Sequence, residues 1–132
     1  MTKVLFVEDE PWGVDGYILS LQNVGFECDL AHGINEAIAK LQNNQFDIVS
    51  LDIKFSGRDL HNKADSRSAG LKLLQLIRGG KIPNCDPNVK VVVVTALADQ
   101  HIEKQVKGLG ISDYLKKPVA FQKVMDAFIR LR

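Results

Sequence analysis

The chain has 132 residues, enough to bury the core of one ordinary domain. Apolar residues make up 45% of it, which excludes wholesale disorder, and a formal charge of +1 gives no broad electrostatic pull toward nucleic acid or a membrane. The opening MTKVLFVEDE meets acidic residues too soon for a secretory leader, and no apolar run approaches the roughly 20 residues that span a bilayer. Cys28 and Cys85 stand alone, as do His32, His61 and His101, so no metal-ligand spacing is present and the expectation is a cytoplasmic protein with reduced thiols. The basic C-terminal residues Lys116, Lys117, Lys123, Arg130 and Arg132 read as a solvated helix face.

In chain order, strands and helices alternate five times. Val4 to Val7 is a continuous apolar run, expected of a strand covered on both faces. A helix from about Pro11 to Val24 follows, with proline in its first turn and Gly25 where it should stop. Phe26 to Ala31 makes a weaker, more polar strand, and the stretch Asn35 to Gln42 sets Ile34, Ala37, Ile38 and Leu41 on one helical face. Phe46 to Leu51 is the third strand. Leu71, Leu74 and Ile77 mark a third helix ending near Gly79 and Gly80, and Val91 to Val94 form a β-branched fourth strand. Ile102, Val106 and Leu109 mark the fourth helix, Asp113 to Leu115 a short fifth strand, and Phe121, Val124, Met125 and Phe128 the core stripe of a last helix. This alternation implies a parallel sheet with helices on both faces. One interval breaks the rhythm: residues 55–69, FSGRDLHNKADSRSA, are polar and unusually long for a strand-to-helix connection.

Ligands of open parallel sheets bind beyond the carboxyl ends of the strands. Here the first strand runs into Glu8 and Asp9, the third into Asp52, the fourth into Thr95 and the fifth into Lys116, Lys117 and Pro118. Each polar group follows a buried run directly, so the fold gathers them at one rim. Glu8, Asp9 and Asp52 crowded together repel one another unless a cation intervenes. Magnesium, which takes oxygen ligands from one or two carboxylates plus phosphate, suits the set. A lysine and a hydroxyl beside it suit the stabilisation of a transferring phosphoryl group, with Asp52 as the nucleophile.

The pieces VLFVEDE, DIVSLD, VVVVTA and DYLKKP, in this order and at strand ends, resemble the response-regulator receiver family over essentially the whole chain. The resemblance implies one receiver domain over residues 1–132. Its fold would be a flavodoxin-like, doubly wound α/β arrangement: a five-stranded parallel sheet, order 2-1-3-4-5, with five helices. It also implies phosphorylation of Asp52 and a magnesium ion held by Glu8, Asp9, Asp52 and the backbone carbonyl of Lys54. Thr95 and Lys117 would act on the phosphoryl group, with a cis bond from Lys117 to Pro118. Thr95 and Tyr114 would form a switch that remodels the face made by helix 4, strand 5 and helix 5. The implied partners are a histidine kinase or phosphotransfer protein and a downstream protein target, without direct nucleic acid or membrane contact, the chain being a monomer or a phosphorylation-dependent dimer. The domain would be no turnover enzyme, catalysing only its own phosphorylation and dephosphorylation.

The sequence departs from the family in the loop after Asp52, which lacks the usual proline and Asp-Gly pair and carries about ten extra residues before Gly70. That insertion is open to two readings, a solvated surface loop or a partner-specific contact. Lys54 and Leu97 occupy positions that tune phosphoryl lifetime in the family, and a long lifetime is expected. Trp12, three residues past Asp9, should report magnesium or beryllofluoride binding by fluorescence. Asp15 and Asp99 read as ordinary helix-start or surface acids. A phosphorylation-independent pseudo-receiver scaffold is the alternative, with Lys54 in place of the metal. A haloacid-dehalogenase phosphatase would need an aspartate where Lys54 stands, and a flavodoxin would need a phosphate-cradling loop where EDEPW stands.

Overall fold

The computed structural model describes residues 1–10, 13–53, 69–96 and 99–132. In chain order the elements are β1 (Lys3–Val7), α1 (Asp15–Asn23), β2 (Glu27–Ala31), α2 (Ile34–Asn43), β3 (Ile48–Leu51), α3 (Ala69–Arg78), β4 (Lys90–Thr95), α4 (Gln100–Gly108), β5 (Asp113–Lys116) and α5 (Phe121–Leu131). The strands form one sheet in the order β2-β1-β3-β4-β5, every neighbouring pair parallel, as expected.

Strand alternation sorts the core into two layers. Leu5, Val7, Val49, Leu51, Val91 and Val93 face one side, where α2, α3 and α4 bring Ile34, Leu41, Leu74 and Val106. Val4, Phe6, Ile48, Val92 and Val94 face the other, against Leu21 of α1 and Val124, Met125 and Phe128 of α5. Phe6 and Phe128 meet with ring centroids 5.5 Å apart. Each fully buried side chain of this kind contributes about 1.5–3 kcal/mol, and the central strand β3 and its neighbour β4 bury such side chains on both faces. Edge strand β2 is mostly half-exposed, which explains its polar composition.

Helix α1 begins at Asp15 rather than at Pro11, which lies outside the described residues. Before the helix, the Gly13 N–H donates to the Glu10 carbonyl at 2.9 Å, a tighter turn than α-helix. The far end behaves as expected: Gly25 takes a φ of 97°, and the N–H groups of Val24 and Gly25 close onto Leu21 and Gln22. Asp99 caps α4, accepting from the N–H groups of His101 and Ile102, which confirms a local role for this acid. The long stretch 55–69 lies outside the described residues except for Ala69, which opens α3. Among the described residues no helix is long and apolar enough to cross a membrane.

Candidate phosphoryl-acceptor site

Parallel pairing delivers the polar residues to one rim. The ladder continues past β1 and β3, where the Asp52 N–H donates to the Val7 carbonyl at 3.3 Å and the Glu8 N–H to the Ala31 carbonyl at 2.9 Å. Glu8 and Asp52 therefore leave neighbouring strands side by side. Thr95 closes β4 and pairs with Lys116, and the Lys117 N–H donates to the Thr95 carbonyl at 2.9 Å. The Lys117–Pro118 peptide is cis.

Lys117 Nζ stands between the two acids, 3.5 Å from Asp52 Oδ2 and 3.6 Å from Glu8 Oε1. Burial lowers the affinity of that ammonium for its proton, but Asp52 and Glu8 outweigh it and hold its pKa above the ordinary lysine value. Glu8 is only 4% exposed. Burial, followed by a hydrogen bond to Asp52 and the Asp52 charge, pushes the Glu8 carboxyl up to about 8; Lys117 opposes the rise and Asp9 adds to it. Glu8 Oε2 is buried without a hydrogen-bond partner. A buried carboxyl raised this far, with one orphaned oxygen, marks a site short of positive charge. Glu8, Asp52 and the nearby Asp9 fit a hard divalent cation in that respect. Among the described residues, however, no three His, Cys, Asp or Glu side chains are spaced to share one metal ion. The expected fourth donor, the Lys54 carbonyl, lies outside the described residues, as do Trp12 and Leu97.

Thr95 is fully buried at the end of β4. Tyr114 is half-buried: its ring packs on the α2–α3–α4 side of the sheet under Lys107 Nζ, 5.3 Å from the centroid. Its hydroxyl is buried without a hydrogen-bond partner, and burial, then Glu103 and Asp52, push it above the usual phenol range. The structure thus brings Glu8, Asp52 and Lys117 together, with Thr95 one residue along the ladder.

Three contributors escaped the sequence reading. A Cβ on Gly13 would lie 3.2 Å from Glu8 Oε1, so this glycine makes room for the carboxylate. Gly70 packs against the backbone of Asp52 and Ile53. Glu103 grips Lys107 through Oε2 and Lys116 through Oε1, both at 2.9 Å, and so ties α4 to the tip of β5.

The chain is similar to several known proteins. Transcriptional regulatory protein PmrA of Pectobacterium parmentieri is 30% identical over 124 residues, covering 92% of this chain and 48% of that protein. Sensory transduction protein RegX3 of Mycolicibacterium smegmatis is 31% identical over 129 residues, covering 95% and 48%. The chain thus spans about half the length of these regulators, and 13% of the sensor protein GacS of Pseudomonas syringae, to which it is 23% identical. Among solved structures, Vibrio cholerae chemotaxis protein CheY4 shares the fold, with a TM-score of 0.79, 21% identity and coverage of 100% of this chain and 99% of that one. Thermotoga maritima response regulator TrrA, in complex with Mg2+ and beryllofluoride, gives a TM-score of 0.76 at 26% identity over the whole of both chains. The family model of the response regulator receiver domain matches residues 4–129, and the chain belongs to that family.

Proposed function

We propose that this chain is a single phospho-accepting receiver domain, residues 1–132, of a two-component phosphorelay, phosphorylated on Asp52 by a histidine kinase or phosphotransfer protein in the cytoplasm. The observation that carries this reading is Lys117 Nζ bridging Asp52 and Glu8 at the strand-end rim. An Asp52 oxygen forms the new O–P bond as the P–N bond of the donor phosphohistidine breaks, and the ring leaves as neutral imidazole, keeping the proton already carried on its other nitrogen. Lys117 meets the charge that the phosphoryl oxygens carry, and the Thr95 hydroxyl donates to one of them. Glu8, Asp9, Asp52 and the Lys54 carbonyl would hold Mg2+, which supplies charge neutralisation between the acceptor and the incoming phosphoryl oxygens. TrrA carries a magnesium–beryllofluoride complex on the same fold, which supports this assignment.

Output follows from a Thr95–Tyr114 switch. Tyr114 lines an open groove of about 380 Å3 with Glu103, Lys107, Lys116, Val119 and Lys123, on the α4–β5–α5 face. A downstream protein recognises that face, with no direct nucleic-acid or membrane contact, and the chain is a monomer or dimerises on phosphorylation. The phosphoryl group acts by favouring the contacts of one state over the other.

One observation favours a second reading, a phosphorylation-independent scaffold: no three acids among the described residues are spaced for a shared metal. Incubation with acetyl phosphate and magnesium, followed by intact mass measurement, separates the two. A gain of one phosphoryl group that disappears in Asp52→Asn is expected. An unmodified mass, with no Trp12 fluorescence response to magnesium and beryllofluoride, would leave the scaffold.

A further inference from the structure

We propose that Ser50 is a positioning residue for the acceptor site, its hydroxyl and the Glu8 carboxyl holding one water molecule between them beneath Asp52. The part concerning magnesium rests on the function proposed above; the water itself does not.

Strand register places Ser50. On the α1–α5 side of the sheet, Val4 pairs with Ile48, and Phe6, Ser50 and Val92 form the next rung. By alternation Glu8, Asp52 and Val94 occupy the rung above. Ser50 is thus the polar member of an otherwise apolar rung, 6% exposed, one pleat below the acceptor. A strand covered on both faces calls for a branched apolar residue there. A small hydroxyl in that place leaves space beside it and offers a donor and an acceptor to whatever fills it.

The space is present. A cavity of about 10 Å3 is lined by Phe6, Glu8, Tyr17, Ser50, Asp52 and Lys117, among others. That volume is about one water-sized probe, and a buried water requires two to four polar partners. Glu8 Oε2, buried without a partner, supplies an acceptor. Ser50 Oγ supplies a donor and acceptor, and Lys117 Nζ a further donor. One water satisfies the orphaned carboxyl oxygen and the serine together and holds the Glu8 carboxyl in one rotamer beside Asp52. A metal ligand held this way binds more tightly than one free to turn, and loss of such a support lowers metal affinity about 10- to 100-fold.

The test uses the metal-free protein first. A high-resolution crystal structure should show an ordered water within hydrogen-bond reach of both Ser50 Oγ and Glu8 Oε2, and Ser50→Val, which fills the space without a hydroxyl, should expel it. Calorimetric titration should then find magnesium bound about tenfold more weakly by Ser50→Val and essentially as in the native protein by Ser50→Thr, which keeps the hydroxyl. Should the valine variant fail to fold, Ser50→Ala is small enough for any packing and should weaken magnesium binding in the same direction. An absent water in the native protein, or magnesium affinity unchanged by both valine and alanine, overturns the proposal. A native protein that shows the water but takes up no magnesium overturns the metal assignment and leaves the water site standing.

Discussion

Gly70 lies so close beneath Asp52 that a Cβ on the glycine would sit 2.5 Å from the Asp52 carbonyl oxygen and 2.5 Å from Ile53 Cα. Its N–H also donates to the Ile53 carbonyl at 3.0 Å, so the first turn of α3 is pinned to the segment that carries Asp52. Backbone cannot yield as a flexible side chain does. Gly70→Ala should therefore destabilise the protein by about 1–3 kcal/mol despite alanine's better helix propensity. Urea denaturation measures the loss, and an alanine variant as stable as the native chain would show that α3 can move away freely.

Glu8 makes the metal-free protein sensitive to pH. Its folded carboxyl titrates at about 8, against a reference value of 4.5. A raised folded pKa contributes stability that is fully present below pH 4.5 and lost as pH climbs through 8, because the unfolded chain releases its proton first. The loss should be on the order of 3 kcal/mol, since each pKa unit is worth about 1.4 kcal/mol and neighbouring charges share the effect. The raised Lys117 value acts only near and above its reference of 10.5, outside this window. Thermal denaturation in a chelator should show stability falling between pH 5 and 8, and Glu8→Gln should flatten the fall. Parallel melting profiles for the two proteins across that range would show that the folded Glu8 has no raised pKa.

Tyr114 offers a stabilising substitution. Its buried hydroxyl has no hydrogen-bond partner, so Tyr114→Phe removes an unsatisfied group while keeping the ring and its contact with Lys107. A gain of about 1 kcal/mol is expected. Chemical denaturation of the unphosphorylated protein reads it directly, and a loss of stability would reveal a partner for that oxygen in solution.

Arg78 at the end of α3 donates to three carbonyls, those of Leu109, Pro87 and Gly110, at 2.8–2.9 Å. It thereby fastens the turn between α4 and β5 to α3. A lysine reaches one carbonyl at a time, whereas the guanidinium fork reaches all three. Arg78→Lys should cost about 1–2 kcal/mol and Arg78→Ala more, with faster amide exchange at Leu109 and Gly110. Equal exchange rates in all three proteins would assign the turn's order to other contacts.

Sequence pattern carried the architecture because β1, β3 and β4 are mostly apolar runs, as the valines of β4 show, and because each leads directly into a polar residue at a defined place. Glu8, Asp52 and Lys117 were legible for that reason. Contacts set by backbone approach were not, since nothing in the letters of Gly13 or Gly70 says which carboxylate or carbonyl lies opposite. Ser50 was readable in principle: counting by twos from Ile48 to Asp52 puts a hydroxyl on a face that should be greasy. The pattern of apolar residues and proline placed the start of α1 about four residues before Asp15, where the described helix begins.

Glu103 holds Lys107 with one oxygen and Lys116 with the other. Both lysines are more than half exposed, so water screens the two pairs and the strap across the outer surface is weak. Lys116 is bonded directly to Lys117, and Lys107 rests on the Tyr114 ring. The strap therefore joins the neighbour of the rim lysine to the helix whose Lys107 covers Tyr114.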